Sequence, residues 1–238
     1  MTLRKASSLL LACGLLAPVL SAQAALTSSV TNTAYSQVAG ANTINFGNTD
    51  APGNSENSKA VAGSAAPGDT LLQGTLAGVG YQYIDGALFN NTNVISGTAA
   101  RPVGATGNYL SVGTSSHQKG PSTLTFSTGL SYFGFLWGSP DTYNTVTFWN
   151  GTTQLASFNG TAVKANANGD QTFARYFGVT ANGGDVITKV VFSASNNAFE
   201  TDNHAFISAV PEPETYAMLL AGLGLMGVVA RRKRQLRR

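Results

Sequence analysis

The dipeptide Asn150-Gly151 sits between two runs rich in β-branched and aromatic residues, Asn144-Thr145-Val146-Thr147-Phe148-Trp149 and Thr152-Thr153-Gln154-Leu155-Ala156-Ser157-Phe158. Asn-Gly in that setting is the strongest short hairpin signal, because a type I′ turn needs positive φ at both central residues. The stretch therefore predicts two antiparallel strands. Val146 and Phe148 should share one face, and Thr145, Thr147 and Trp149 the other. The same alternation of short β-rich runs with Gly, Asn and Asp recurs along the body. Runs at 109–112, 122–127, 132–137, 172–179, 186–195 and 198–208 read as further strands, and 166–170 and 181–185 as loops. Long patterns of 3.6-residue period are missing before the tail. The expected fold is all-β, an antiparallel jelly-roll-like sandwich forming one domain over 25–209. Residues 51–69, rich in Gly, Ser, Asn, Ala and Pro, read as a long loop. Residues 70–90 would add two strands or a hairpin.

The two ends do not read as fold. Arg4-Lys5, an apolar stretch over 9–20 and Ala22-Gln23-Ala24 make a secretory signal peptide over 1–24. Signal peptidase is expected to cut after Ala24. The single cysteine, Cys13, lies inside this segment. Leu10-Leu11-Ala12-Cys13-Gly14 faintly resembles a lipoprotein processing box, but cleavage there would leave an apolar stub on the mature chain. Without Cys13 the exported protein has no disulfide, thiol nucleophile or thiolate metal site.

At the other end, 216–230 is apolar or small throughout. Fifteen residues give a helix of roughly 22 Å, against a hydrocarbon core of ~30 Å. It can still cross if flanking arginines snorkel or the bilayer thins. A transmembrane helix is therefore expected over 216–230, with 231–238 as a basic cytoplasmic end. Gly222, Gly224 and Gly227 weaken the helix and allow another helix to approach closely. Pro211-Glu212-Pro213 keeps the preceding segment extended. Pro211, Glu212 and Pro213, the apolar run, and the basic residues Arg231, Arg232, Lys233 and Arg234 together resemble the PEP-CTERM sorting signal of bacterial exosortase substrates. The resemblance implies a Gram-negative envelope protein, exported through the inner membrane to the outer surface or beyond. It also implies a membrane-embedded cysteine protease, the exosortase, acting at or near Pro211-Glu212-Pro213, and company with exopolysaccharide.

The basic composition belongs to these ends. Between Ala25 and Ala230 there are six basic residues and all eleven acidic ones, a net charge of −5. That body carries no electrostatic footprint for nucleic acid. Gly107-Asn108-Tyr109-Leu110-Ser111-Val112, Phe133-Gly134-Phe135-Leu136-Trp137-Gly138-Ser139 and Phe199-Glu200-Thr201-Asp202-Asn203 also resemble the jelly-roll ectodomains of exosortase-dependent surface proteins. That resemblance implies architecture and location, with no known activity.

Three chemistries are weighed. Glu200, Asp202 and His204 lie at i, i+2 and i+4, so a regular strand would put them on one face. Phe199–Asn203 is similar to an ending of jelly-roll binding modules that accompanies a structural Ca²⁺. Glu200, Asp202 and Asn203 could supply part of a calcium shell, completed by Asp50 or nearby carbonyls. A polar strand end without metal is the preferred reading. Zinc is less favoured, since His117 and His204 are the only histidines. Tyr132, Trp137, Tyr143 and Trp149 could form an aromatic platform for sugar rings, although aromatics in a sandwich more often build core. No nucleophile elbow, zinc-protease motif or phosphate loop occurs, and no carboxylate pair is singled out by spacing. The chain is therefore expected not to be an enzyme. It reads as a non-catalytic surface or exopolysaccharide-associated component. The alternatives are a structural or adhesive protein without specific ligand and, third, a polysaccharide hydrolase.

Overall fold

The computed structural model describes residues 26–44, 46, 55–56, 63–64, 70–89, 94–95, 97–115, 118 and 120–209, and positions 220, 222–224 and 226 in the tail. Sixteen strands follow in chain order: β1 (Thr27–Thr31), β2 (Asn42–Ile44), β3 (Ser55–Glu56), β4 (Gly63–Ser64), β5 (Thr70–Leu76), β6 (Val79–Ile84), β7 (Ala87–Phe89), β8 (Val94–Ile95), β9 (Ala99–Ala100), β10 (Tyr109–Val112), β11 (Ser122–Gly138), β12 (Asn144–Asn150), β13 (Thr153–Asn159), β14 (Ala174–Thr180), β15 (Ile187–Ala194) and β16 (Phe199–Ser208). The antiparallel all-β expectation is met.

The pivot is β11. Its first half pairs with β15 and β6, and its second half with β14 and β16. The pairing with β15 shifts register between Thr125 and Leu130, so the strand bends there. The two runs expected as separate strands are thus one strand that passes from one layer to the other. The first layer reads β13-β12-β15-β11-β6-β5. The second reads β1-β14-β11-β16-β10-β7-β4, with β2 sharing the free edge of β16 beside β10.

Alternation along each strand sends one set of side chains between the layers. Val146, Phe148, Val190, Phe192, Leu124 and Tyr83 come from the first layer, and Phe133, Phe135, Trp137, Phe177, Phe199 and Phe206 from the second. Nearly all of these are fully buried. Phe135 meets Phe192 edge-on at 5.2 Å, and Trp137 stacks on Phe199 at 4.6 Å. Burial of each such ring contributes about 1.5–3 kcal/mol, so this aromatic seam supplies the stability that a disulfide-free chain needs.

The outer face of the second layer is also covered. β1 pairs with β14 at one edge, and the chain then crosses that face over 32–41 before β2 joins β16. Under this strap lie Tyr132, Leu136, Tyr176 and Ala205, packed with Ala34 and Ala41. Ser36 Oγ lies 3.1 Å from Tyr132 Oη, and Asn203 Nδ2 donates to the Ala34 carbonyl at 2.8 Å.

Hairpin β12–β13 forms where expected, with a register one residue later. Asn150 pairs with Thr153, so Gly151-Thr152 form the turn. Gly151 alone has positive φ, +56°, which suits a II′ turn with glycine first rather than the expected I′ turn. A bulge between Phe148 and Trp149 absorbs the shift. Strands at 27–31 and 42–44 were not signalled by the sequence pattern.

The register fixes which ends meet. Thr27 pairs with Thr180, Thr180 with Tyr132, and Leu130 with Ser208. The start of β1 and the end of β16 therefore leave the sandwich at the same pole. Gly138, Ala174 and Glu200 align at the opposite pole.

Candidate functional site

Three connections between the layers converge at that opposite pole. Residues 139–143 carry the chain from β11 to β12, 160–173 from β13 to β14, and 195–198 from β15 to β16. With 97–99 they enclose a cleft of about 410 Å³. Its walls include Thr98, Ser139, Asp141, Tyr143, Asn168, Gln171, Asn196, Asn197 and Glu200.

The loops are held by backbone and amide bonds. Ser139 N–H donates to the Phe173 carbonyl, Gly169 N–H to Pro140, and Asn144 N–H to Asp141. The Asp141 N–H donates to Asn144 Oδ1 at 2.8 Å, while Asn144 Nδ2 donates to the Ala198 carbonyl at 3.0 Å. Asn197 Oδ1 accepts from Thr114 N–H, Thr114 Oγ1 and Ser115 N–H, and its Nδ2 donates to Gly97. Gly160 packs directly on the Asp141 backbone, leaving no room for a Cβ. One asparagine thus ties three segments, and the cleft is built before any ligand arrives.

Glu200 forms part of the floor and is 3% exposed. Its Oε1 accepts from Ala100 N–H at 3.0 Å and its Oε2 from Ser139 Oγ at 2.8 Å. Burial pushes its carboxyl up to about 7, and the Asp141 charge adds to this, against the two hydrogen bonds. Tyr143 Oη donates to the Asn197 carbonyl at 2.8 Å. Burial and then the Asp141 carboxylate hold its hydroxyl well above the usual tyrosine range. Each Glu200 oxygen thus accepts one hydrogen bond from the cleft walls.

The expected row Glu200–Asp202–His204 does not form. Register along β16 shifts between the partners of Gly134 and Leu136, and Asn203 takes φ +49°. This bulge reverses the alternation: Glu200 and Asp202 share one side, while His204 enters the aromatic core. His204 Nδ1 pairs with Tyr83 Oη and Nε2 with Thr201 Oγ1, each at 2.8 Å. Burial drives its ring down to about 3. Asp202 Oδ1 accepts from Asn203 N–H. Among the described residues no three His, Cys, Asp or Glu side chains cluster to hold a metal. Asp50 and His117 lie outside the described residues.

The four aromatics expected as a platform are dispersed. Trp137 is fully buried between the layers and Tyr132 lies beneath the strap. Alternation along β11 sends them to opposite faces, and both faces are covered. Trp149 is half-buried on β12 under the Lys189 ammonium at 4.3 Å. Tyr143 alone reaches the cleft. Of the cleft amides, Asn168 falls in a stretch that reads as a loop, and Gln171, Asn196 and Asn197 fall between the expected strands; loop chemistry hides a role that appears only when distant connections meet.

The cleft lies at one pole of the sandwich, and β16 ends at the other. A family model for the PEP-CTERM protein-sorting motif matches residues 209–234. The chain is thus an exosortase substrate, sorted to the cell envelope or surface. A comparison with curated proteins finds no match. Ala22 and Ala24, Pro211 to Pro213 and Arg231 to Arg234 lie outside the described residues. Among the described residues no helix is long and apolar enough to cross a membrane.

Proposed function

We propose that this protein is a non-catalytic surface component that contacts extracellular polysaccharide. The observation that carries the reading is the polar cleft at the pole opposite the tail-bearing end. Export begins with signal peptidase acting after Ala24. The 216–230 segment holds the precursor in the membrane until the exosortase engages Pro211-Glu212-Pro213. Support for a non-catalytic role comes from Glu200, each of whose oxygens accepts a hydrogen bond from the cleft walls, which fits a structural part for this carboxyl. The body's net negative charge suits an extracellular partner other than nucleic acid. Both Glu200 oxygens accept from protein donors, whereas Asn203 Oδ1 is buried without a hydrogen-bond partner; the reading itself assigns no role to calcium.

The test is co-sedimentation of the full chain with exopolysaccharide from its own host. Retention on the polymer above a signal-peptide-bearing control supports the reading. Equal recovery in the absence of polymer would leave a structural or adhesive protein without specific ligand. Release of reducing ends would replace it with hydrolysis.

A further inference from the structure

We propose that the cleft between the interlayer connections binds an uncharged saccharide, an internal segment of a neutral polysaccharide chain. This rests on the reading above and adds where and by what chemistry the contact is made. Asn168, Gln171 and Asn196 line the cleft with carboxamides; Asn168 Oδ1 already accepts from Lys164 Nζ at 3.0 Å and Asn196 Oδ1 from Asn197 N–H at 2.9 Å, so these two offer a ligand chiefly their amide N–H donors. Sugar hydroxyls can accept from these amide N–H groups and donate to the Gln171 carbonyl oxygen, because each hydroxyl both donates and accepts. Gln171 and Asn196 are solvent-exposed at the mouth. Tyr143 adds one ring, held in place through its bond to Asn197.

Charge selects among saccharides. The lining contains Asp141 and Glu200 and neither Lys nor Arg. A uronate, sulfate or phosphate group would face carboxylate, and a cation that touches the wall, Lys164 Nζ at 3.0 Å from Asn168 Oδ1, is already paired with Asp170 at 2.9 Å. The volume lies within the range of about 300–1,000 Å³ usual for ligand sites. The walls are fixed by Asn197 and Asn144, so little ordering is lost on binding. β16 separates Glu200 from Ser208 by the length of a strand, so the cleft opens away from the tail.

The experiment is calorimetric titration of the full chain, purified from the envelope in detergent. The probes are cellohexaose, mannohexaose, galactohexaose and hexagalacturonate, together with the host's own exopolysaccharide. The expected result is binding of a neutral probe or neutral host polymer at least tenfold tighter than hexagalacturonate. Gln171→Trp, which fills the mouth, should weaken it at least tenfold. Hydrogen exchange on the unmodified protein reads the same site without a variant: peptides covering 139–143, 168–171 and 195–198 should gain protection with saturating ligand. Binding that protects other segments, or that survives Gln171→Trp in a variant of unchanged exchange, would overturn the cleft and leave the polysaccharide reading intact. Hexagalacturonate bound as tightly as the neutral probes would overturn the charge argument. Failure of every probe and of the host polymer would remove both.

Discussion

Replacing Glu200 by Gln should alter the pH dependence of stability in a way calculable from its surroundings. The amide can accept from Ala100 N–H through its oxygen and donate to Ser139 Oγ through its nitrogen, so the hydrogen bonds survive. What disappears is the titration. The Glu200 carboxyl is raised from 4.5 to about 7, chiefly by burial. The folded state therefore holds a proton that the unfolded chain has released, and stability is lost as pH rises from 4.5 through 7. Two and a half units correspond to about 3 kcal/mol, at about 1.4 kcal/mol per pH unit. His204 acts in the opposite sense. Its ring is lowered from 6.5 to about 3, so its contribution is complete above 6.5 and is lost as pH falls towards 3. Between 4.5 and 6.5 the two slopes cancel. Urea unfolding of the two proteins at pH 4.5, 5.5, 6.5 and 8 isolates Glu200, because their difference removes every other group except those coupled to it, Asp141, Tyr109 and Tyr143. Glu200→Gln should match the parent at pH 4.5 and exceed it by about 3 kcal/mol at pH 8. It should also show the uncovered His204 slope between 4.5 and 6.5. A difference that stays constant across the series would refute the assignment of Glu200 as a buried, protonated group.

Phe135→Ala should cost about 3–5 kcal/mol in chemical denaturation, because Phe135 touches Trp137, Phe177, Phe192, Phe199 and His204 at the centre of the seam. Gly151→Ala meets no neighbour within 4 Å, so its positive φ alone should cost about 1–2 kcal/mol. Gly160→Ala should cost more than Gly151→Ala in the same assay, since its Cβ would collide with the Asp141 backbone and open the cleft wall. Trp149→Ala should lower stability by about 0.5–1 kcal/mol, the loss of a half-exposed contact with Lys189, and leave glycan affinity unchanged.

The sequence made the β class readable because Val146 and Phe148 alternate with Thr145 and Thr147, and the buried set follows that alternation. It was less explicit wherever a bulge intervened. Residues 122–127 and 132–137 read as separate strands, yet the chain continues between them as a bend and crosses layers. Asn203 was the available warning at β16, since asparagine is among the few residues that accept a left-handed backbone. One such residue changes the face of everything after it, and so His204 parted from Asp202. β1 gave no signal, because all five of its residues are exposed and no apolar period is needed. The sorting motif was legible because it is a linear pattern, and the family model matches it over 209–234. The cleft was not, because its walls come from four segments that only the register of β11, β14 and β16 brings together.

The exit of the tail from β16 has a mechanical consequence. β16 is an interior strand, bonded along one edge to β11 and along the other to β10 and β2. A pull between a cell-attached C-terminus and a polymer held at the far pole runs along the strand axis. Such a load is shared by the backbone bonds of both edges at once, in shear, instead of peeling them one after another. The fold therefore resists tension along the one line on which a tethered protein would feel it.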